Sequence, residues 1–295
     1  MPRVVITGGA GFIGRPLRSI LERGGWDVVS LTRSAADVTD ADALLGRVVE
    51  AEAVVHLAFP VAAHAQHDRP LETLHEVALG MTNALRFAGR AGAGQVVLAS
   101  SGKIYGAPVS LPITEDHVLA PSTFLGELKR LQEEILAQGV RYGAAAGWPC
   151  GATALRIFNA YGPGQGDGFF VPTLLEGLRL GGPLALGELD HRRDWVHVQD
   201  VCEAFLAALA RPADPGTLRC LNVGTGRAVS ARELLGRLAK HVGGAPEVRR
   251  DPTRLRPGEA PEERADCTRL RALGWSPRRS VEEELCALWD AGGGS

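Results

Sequence analysis

A short apolar run near the N-terminus leads directly into a glycine-rich loop, and this junction limits the folds open to the chain. Residues 4–7 read VVIT and predict a buried strand, and GGAGFIG follows at 8–14 with glycines three residues apart. Glycine at such a turn lets the backbone approach a pyrophosphate, and the N-terminus of the following helix attracts negative charge. The loop therefore predicts a dinucleotide site. Its predicted cofactor residues are Gly8, Gly11, Phe12, Ile13 and Gly14.

Beyond this junction, short apolar runs alternate with longer segments of helical spacing, regularly up to Gly162 and more loosely after it. Such alternation predicts an α/β fold, in which βαβ units build a doubly wound parallel sheet. The predicted strands are Val4–Thr7, Asp27–Thr32, Ala53–Ala58, Gln95–Ser100, Ala152–Phe158, Asp194–Val198 and Leu221–Val223. The predicted helices are Gly14–Arg23, Ala41–Val49, Leu71–Gly92, Phe124–Gln138, Pro172–Leu180, Val201–Arg211 and Ser230–Val242.

Composition and charge argue against several classes of function. The 295 residues carry a net charge of −2, which argues against a nucleic-acid surface or a polybasic membrane anchor. No apolar run reaches the roughly 18 residues that a membrane span needs, and the N-terminus has no signal-peptide pattern. The five cysteines are widely spaced without a CxxC motif, which predicts neither disulfides nor a zinc site. We expect a soluble cytoplasmic protein that binds no metal, nucleic acid or membrane.

The end of the second predicted strand bears on the choice of cofactor. NAD-binding proteins place an acid about 20 residues after the glycines, where it bonds the ribose hydroxyls. Here the chain reads Thr32-Arg33, with no carboxylate to repel a 2′-phosphate and a guanidinium that could bind it. The alternative is that Arg33 is one more surface residue of an arginine-rich chain. We predict NADP as the cofactor, with NAD as the alternative.

Nine sequence motifs occur in the order found in one protein family. They are TGGAGFIG (7–14), ADVTD (36–40), VVHLA (54–58), GMTNALRFA (80–88), ASSGKIYG (99–106), LRIFNAYGPGQ (155–165), RRDWVHVQDV (192–201), LNVGTG (221–226) and RPGEAPEERADCTRLRALGWSP (256–277). On these motifs nearly the whole chain resembles the extended short-chain dehydrogenase/reductases, the NAD-dependent epimerase/dehydratase group that acts on nucleotide sugars. The resemblance implies a Rossmann domain with a smaller α/β C-terminal substrate domain. It also implies a homodimer formed through the helices at 71–92 and 122–138.

The resemblance assigns domain boundaries and ligand contacts. Residues 1–165 and 193–218 are expected to form the Rossmann domain, and residues 166–192 and 219–291 the substrate domain. The expected cofactor contacts outside the glycine loop are Thr32, Arg33, Asp37, Val38, Leu57, Ala58, Ser100 and Lys129. Asn159, Arg193 and Arg256 are expected to hold the diphosphate of a nucleotide-sugar substrate, since guanidinium and amide groups can neutralise and hydrogen-bond a pyrophosphate.

The family's catalytic residues are a serine or threonine and a Tyr-x-x-x-Lys motif, and one of them is missing here. Ser101 stands four residues before Tyr105, where the family places the hydroxyl that bonds the sugar oxygen. Lys129 matches the lysine, which in the family bonds the nicotinamide ribose and lowers the pKa of the tyrosine. The tyrosine position, one helical turn earlier on the same face, is Leu125. The usual general acid/base is therefore absent.

Three routes could replace the missing proton donor. Lys103 lies two residues after Ser101 and is one of only three lysines in the chain, and a lysine desolvated beside a nicotinamide can exchange protons near neutral pH. His64 and His67 lie in a loop that faces substrate in the family, and imidazole is a natural proton shuttle. Substrate-assisted transfer through Ser101 is the third route. The alternatives are that Lys103 only binds substrate and that both histidines are solvated.

The sequence leaves several functions open. The predicted NADP preference favours reduction of a keto group on a nucleotide-linked sugar, of the NDP-deoxysugar type. An NAD-dependent nucleotide-sugar epimerase is the alternative, whereas dehydration is disfavoured because Gly102 stands where the family's dehydratases carry an acid. Because the tyrosine is missing, a non-catalytic NAD(P)-binding regulatory protein is a further alternative. Arg193 and Arg256 argue against a reductase of small non-nucleotide carbonyl compounds.

Overall fold

Short strands and longer helices alternate along the chain. The structure, a computed structural model, describes residues 1–60, 68–244, 246–254 and 259–292. Its strands are β1 (Arg3–Thr7), β2 (Asp27–Leu31), β3 (Ala53–His56), β4 (Gln95–Ser101), β5 (Gly151–Ile157), β6 (Asn159–Tyr161), β7 (Leu184–Leu186), β8 (Arg192–His197), β9 (Leu218–Val223), β10 (Ala228–Ser230), β11 (Val248–Arg250) and β12 (Glu262–Glu263).

The helices differ widely in length. They are α1 (Gly14–Arg23), α2 (Ala41–Leu45), α3 (Pro70–Arg90), α4 (Phe124–Ala145), α5 (Phe170–Leu180), α6 (Val198–Ala210), α7 (Ala231–Val242), α8 (Thr268–Arg271) and α9 (Val281–Gly292). Short 3₁₀ turns cover Gly102–Tyr105 and Pro252–Arg254. Among the residues that the structure describes, no helix is long and apolar enough to cross a bilayer.

A six-stranded parallel sheet forms the larger of the two main sheets, with strand order β2-β1-β3-β4-β5-β9. β3 and β5 are buried along their whole length, as expected for a parallel sheet with both faces covered. Leu17 of α1 and Phe205 of α6 pack in the core cluster on one face, and Met81 of α3 and Leu136 of α4 pack in the cluster on the other. The predicted doubly wound Rossmann sheet is confirmed.

A smaller mixed sheet lies beyond the larger one and is centred on β8. This strand pairs antiparallel with β10 and parallel with β6 and β12. Leu174 of α5, Leu234 of α7 and Leu285 of α9 share the core cluster of this region. The register places Glu263 of β12 beside Arg193 of β8. The small sheet thus brings a carboxylate next to an arginine that the sequence assigned to substrate.

Helix α4 is longer than the sequence predicts, because two glycines that resemble a stop signal are packing positions. The helix continues from the predicted end at Gln138 to Ala145. A Cβ on Gly139 would lie 2.5 Å from Leu85 of α3, and a Cβ on Gly143 would lie 2.6 Å from the Trp148 ring. Tyr142, which the sequence places after the helix, therefore lies within it and is exposed.

Two strands depart from the predicted domain boundaries. β9 is the edge strand of the six-stranded sheet, although residues from 219 onward were assigned to the substrate domain. Conversely, β8 belongs to the small sheet, although residues 193–218 were assigned to the Rossmann domain. Both strands are short, and pairing with strands distant in sequence decides which sheet each of them joins. The wider division into two domains stays a prediction.

A buried ion pair joins α4 to the large sheet. The Arg156 guanidinium donates to both oxygens of Glu133, at 3.0 Å from Nε to Oε1 and 2.7 Å from Nη2 to Oε2. The two side chains are only 5% and 6% exposed. Ser100 donates its hydroxyl to Glu133 Oε1 at 2.5 Å, and Arg156 Nη1 donates to the Tyr105 hydroxyl at 3.0 Å. Burial opposes the charge on Arg156, but the bonds to Glu133 outweigh it and raise the arginine pKa.

Replacing Arg156 with methionine leaves the Glu133 carboxylate buried without its counter-charge. We expect Arg156→Met to lower the free energy of unfolding by about 3–5 kcal/mol, measured by urea denaturation. The matched control is Arg18, whose pair with Glu22 at 2.8 Å involves side chains 57% and 45% exposed. Arg18→Met should cost less than about 1 kcal/mol. Equal losses in the two variants would contradict a stabilising role for the buried pair.

Candidate active site

A cleft of about 520 Å³ lies at the carboxyl ends of β1, β2 and β3, with α3 forming its other wall. Open α/β sheets bind ligands at this edge, since the loops that follow neighbouring strands converge there. The predicted cofactor residues that line the cleft are Gly8, Gly11, Arg33, Asp37, Val38, Leu57 and Ala58. The cleft is therefore the candidate cofactor site.

The glycine loop at this cleft can accommodate only glycine at its two ends. Gly8 has a φ of +74°, and a Cβ there would lie 2.6 Å from the Ala58 nitrogen. A Cβ on Gly14 would lie 2.6 Å from the backbone of Gly9. No side chain caps the N-terminus of α1, which leaves that end suited to an anion. The loop thus fits the pyrophosphate of a dinucleotide.

The two apolar residues of the glycine loop serve the core. Phe12 and Ile13 are partly buried and pack against the cluster shared by α1, α6 and the large sheet. Thr32, also a predicted cofactor residue, has its hydroxyl 3.0 Å from the Ser34 hydroxyl. Contacts of these three residues with a cofactor stay predictions.

A carboxylate lies beside Arg33, contrary to the reasoning from sequence. Arg33 Nε donates to Asp37 Oδ2 at 3.0 Å, while the Arg33 side chain remains 85% exposed. Burial opposes the charge on Asp37, but hydrogen bonds from Thr39 and Arg33 outweigh it and lower the pKa of the carboxyl. A 2′-phosphate at Arg33 would therefore meet a guanidinium that is already paired and an ionised acid. Arg33 and Asp37 lie four residues apart in the loop after β2, and the sequence alone did not show that their side chains pair.

Lys129 lies behind the wall of the cleft and is almost fully buried, at 7% exposure. Its ammonium donates to the Ala99 carbonyl at 2.8 Å and to Gln132 Oε1 at 3.0 Å, and it lies 3.8 Å from the centre of the Phe59 ring. Desolvation lowers the pKa of Lys129 to about 7, although Glu133 opposes the shift. Gln132 and Phe59 themselves line the cleft. Lys129 is thus separated from the cofactor site by one layer of side chains.

His56 is a cleft residue that the sequence did not single out. Its Nδ1 lies 2.8 Å from the Thr7 hydroxyl, and the side chain is almost completely buried. Desolvation, and then the charge of Lys129, lower the pKa of His56 to about 3, which keeps the imidazole neutral. The residue belongs to the VVHLA motif, so its position was visible in the sequence although its role was not.

The Gly102–Tyr105 turn carries the candidate catalytic groups. Ser101, at its start, accepts a hydrogen bond from the Lys103 backbone nitrogen at 3.2 Å, which leaves the serine proton able to bond a ligand. Tyr105, at its end, donates to Asn222 Oδ1 at 2.6 Å. Burial raises the pKa of Tyr105 far above its usual value. Tyr105 therefore anchors the turn and does not replace the missing phenol.

Lys103 forms an ion pair that the sequence did not predict, and its role as proton donor stays a prediction. Its ammonium donates to both carboxylate oxygens of Glu263, at 2.8 and 2.9 Å. It also lies 3.9 Å from Glu259. Lys103 and Glu263 are separated by 160 positions in the chain, so no local pattern could reveal the pair.

A second cleft, of about 460 Å³, contains both described residues that the resemblance assigns to the diphosphate, Asn159 and Arg193. Asn159 Nδ2 donates to the Asp194 carbonyl at 3.3 Å. Arg193 Nη2 lies 3.1 Å from Glu259 Oε1, and its Nη1 donates to the Ala260 carbonyl at 2.9 Å. The arginine is therefore held in place before any ligand arrives, with Glu259 as its nearest carboxylate partner.

The family model for the NAD dependent epimerase/dehydratase family matches residues 4–224 of the sequence. The chain belongs to this family. The match includes the glycine loop, the Gly102–Tyr105 turn, and Asn159 and Arg193 of the second cleft. The recognition from sequence motifs is confirmed.

Characterised relatives of the chain reduce or epimerise nucleotide sugars. It is 30% identical over 300 residues to the GDP-6-deoxy-D-mannose reductase of Pseudomonas aeruginosa, covering 97% of this chain and 95% of that protein. It is 33% identical over 311 residues to the UDP-glucose 4-epimerase of Mycolicibacterium smegmatis, covering 96% of each. The prediction that the chain is an enzyme of this family is confirmed.

Two solved structures share the fold over almost their whole length. MoeE5 in complex with UDP-glucose and NAD has a TM-score of 0.88 and 27% identity, covering 99% of this chain and 100% of that one. RMD from Pseudomonas aeruginosa complexed with NADPH has a TM-score of 0.85 and 28% identity, covering 98% and 97%. Family members of this fold therefore bind NAD or NADPH.

Leu125, at the position that the resemblance gives to tyrosine, lies half-buried in the first turn of α4. Its neighbour Gly126 shows how closely this helix approaches the catalytic turn, since a Cβ there would lie 2.4 Å from the Lys103 carbonyl oxygen. Gly102 is also packed, because a Cβ would lie 3.1 Å from the Phe158 ring. An acidic side chain at Gly102 would have to displace that ring.

Some sequence predictions lie outside the described residues, and some site residues were not predicted. His64, His67 and Arg256 belong to the first group, so their roles stay predictions. Glu259 and Glu263 belong to the second. They lie in the RPGEAPEE segment, which its proline, glycine and charged composition suggested was only a polar connection.

The pKa of Lys129 links stability to pH. It is about 7 in the folded chain, against an ordinary value of 10.5, so the unfolded chain binds the extra proton between these pH values. The free energy of unfolding should therefore rise with pH across this window. Relative to Lys129→Met, we expect the natural chain to gain about 1–2 kcal/mol between about pH 7 and pH 8.5 in denaturant titrations. Lys240→Met, at an exposed site, is the control, and parallel slopes for all three proteins would contradict the assignment.

Proposed function

We propose that the chain is an NAD(P)-dependent oxidoreductase that reduces a keto group on a nucleotide-linked sugar, of the NDP-deoxysugar type. One observation carries the proposal: side-chain contacts link the segment that carries Ser101 and Lys103 to residues beside both clefts. Toward the first cleft, Lys129 bonds the Ala99 carbonyl of the same strand that ends at Ser101. Toward the second, Lys103 bonds Glu263, which is 3.9 Å from Arg193.

The residues of this turn fit the demands of carbonyl reduction. A bound nicotinamide cofactor would supply the hydride. The Ser101 hydroxyl can bond the substrate oxygen, and the Lys103 ammonium can give that oxygen its proton. Lys129 would hold the cofactor from behind Phe59 and Gln132. Asn159 and Arg193, with Arg256, would hold the nucleotide diphosphate of the substrate.

The assay for this proposal uses the natural chain with NADPH and keto-sugars linked to GDP, dTDP or UDP. We expect cofactor oxidation with at least one of them, followed by absorbance. We expect Ser101→Ala to lower kcat by about 100-fold, because it removes a group that bonds the reacting oxygen.

Two other results of the assay would contradict the proposal. Conversion of UDP-glucose to its 4-epimer without net cofactor oxidation would indicate an epimerase. Tight binding of cofactor and nucleoside diphosphate with no turnover of any substrate would indicate the non-catalytic alternative.

We also propose NADP(H) as the preferred cofactor, because Arg33 lines the first cleft and its side chain is 85% exposed, so its guanidinium can exchange the surface pair with Asp37 for a 2′-phosphate. We expect Arg33→Ala to weaken NADPH binding by about 10-fold while leaving NADH binding nearly unchanged, since it removes one charge-assisted contact to the 2′-phosphate. Fluorescence titration gives both dissociation constants. Arg18→Ala, on the exposed face of α1, is the control, and tighter binding of NADH than NADPH by the natural chain would contradict the preference.

A further inference from the structure

We propose that Glu263 is a positioning residue for proton transfer, which holds the Lys103 ammonium beside Ser101 so that this lysine does the work of the missing phenol. The inference rests on the proposed function and adds to it a residue that none of the family's motifs assigns.

The geometry of the pair leaves one proton free for a substrate. An ammonium has three N–H donors. Two of those of Lys103 go to the two oxygens of Glu263, at 2.8 and 2.9 Å. The bidentate contact fixes the direction of the third, and the lysine side chain is still 21% exposed. The pair is therefore partly dry and restrained, yet it remains open to a ligand.

The backbone of Lys103 also lies close to the helix turn that carries the position of the phenol. Leu125 stands in the first turn of α4, and the backbone of its neighbour Gly126 packs directly against the Lys103 carbonyl. Ser101 accepts a hydrogen bond from the Lys103 backbone nitrogen. The serine, the lysine and the vacated tyrosine position therefore belong to one small region. A proton donor on Lys103 can serve an oxygen that Ser101 binds.

The other charged groups around the pair have separate partners. Arg193 Nε lies 3.9 Å from Glu263, whereas its Nη2 lies closer to Glu259, at 3.1 Å. His191 Nδ1 lies 3.7 Å from Glu259, and Lys103 lies 3.9 Å from it. Glu263 therefore pairs mainly with Lys103, and Glu259 pairs mainly with Arg193 of the second cleft. Variants of the two carboxylates should have different effects.

The proton step balances without a further reactant. Hydride addition to the carbonyl carbon breaks the C=O π bond, and its electron pair goes to the oxygen. That oxygen forms an O–H bond as one N–H bond of Lys103 breaks, which leaves a neutral amine. The amine regains its proton from solvent. Glu263 accepts hydrogen bonds from the Lys103 ammonium on both oxygens and so keeps this side chain in place when the proton returns.

Amine labelling tests the pair without any turnover. The chain has only three lysines, so Lys103, exposed Lys240 and buried Lys129 can be followed separately by peptide mass. With an amine-reactive reagent at about pH 8, we expect Glu263→Gln to raise Lys103 labelling about 5- to 10-fold relative to Lys240, because loss of the carboxylate releases the two N–H groups that it holds. Glu259→Gln should raise it much less. Unchanged Lys103 labelling in Glu263→Gln overturns the proposal, whatever the activity.

Kinetics tests the catalytic part. We expect Lys103→Met to lower kcat by about 100-fold and Glu263→Gln by about 10-fold, with the alkaline limb of the kcat profile moved to lower pH in Glu263→Gln. Glu259→Gln should instead strengthen the binding of UDP or GDP in calorimetry, because a diphosphate no longer has to displace a carboxylate from Arg193. In a Leu125→Tyr background, which restores the phenol, we expect Glu263→Gln to cost less than twofold. Far-UV circular dichroism checks that each variant folds.

The outcomes separate this inference from the proposed function. Absence of turnover by the natural chain, with the labelling change present, refutes the reductase and also the catalytic role of Glu263, but leaves the ion pair. Turnover that is unaffected by Lys103→Met overturns the inference and leaves the reductase intact. An equal loss of kcat from Glu263→Gln with and without Leu125→Tyr shows a structural effect and overturns it as well.

Discussion

The buried ion pair between Arg156 and Glu133 is the contact on which the rest of the site depends. It joins β5 to α4, the helix that carries Lys129. Arg156 also donates to the Tyr105 hydroxyl, which links the pair to the Gly102–Tyr105 turn. The Ser100 hydroxyl donates a hydrogen bond to the same carboxylate and so fixes the end of β4. A buried pair of this kind is tolerated because each charge is satisfied on several sides. Strand, helix and turn are thereby held together where the reacting groups must meet.

This anchoring explains how a phenol can be absent while its surroundings keep their form. The turn of α4 that carries Leu125 is fixed by the approach of Gly126 to Lys103, and Lys129 is fixed by the Ala99 carbonyl and Gln132. Neither arrangement needs a tyrosine hydroxyl. The desolvation that lowers the pKa of Lys129 to about 7 is likewise a property of the packed helix and sheet. The position of the proton donor can change without disturbing the cofactor side.

Local patterns predicted the sheet well and the site only in part. The strand, glycine loop and first helix follow from neighbouring residues, and α1 has the predicted bounds, Gly14–Arg23. Prediction was wrong where distant contacts decide. Gly139 lies against Leu85 of α3, which is distant in sequence, and Lys103 pairs with Glu263, 160 positions further along the chain. The pair of Arg33 with Asp37 is local, but the sequence does not show which partner Arg33 takes.

The small sheet restrains the backbone of Glu263 more than that of Glu259, the second carboxylate near Lys103. Glu263 belongs to β12, and the parallel pairing with β8 places it in register with Arg193. Residues in register lie on the same face of a parallel sheet, so backbone hydrogen bonds fix the positions from which these two side chains extend. Glu259 precedes the strand and has no such register. A diphosphate that approaches Arg193 can therefore displace Glu259 more easily than it can displace Glu263. The pairing of β12 with β8 places Glu263 beside Arg193. The same pairing thus keeps Glu263 near Lys103 when a ligand binds at Arg193.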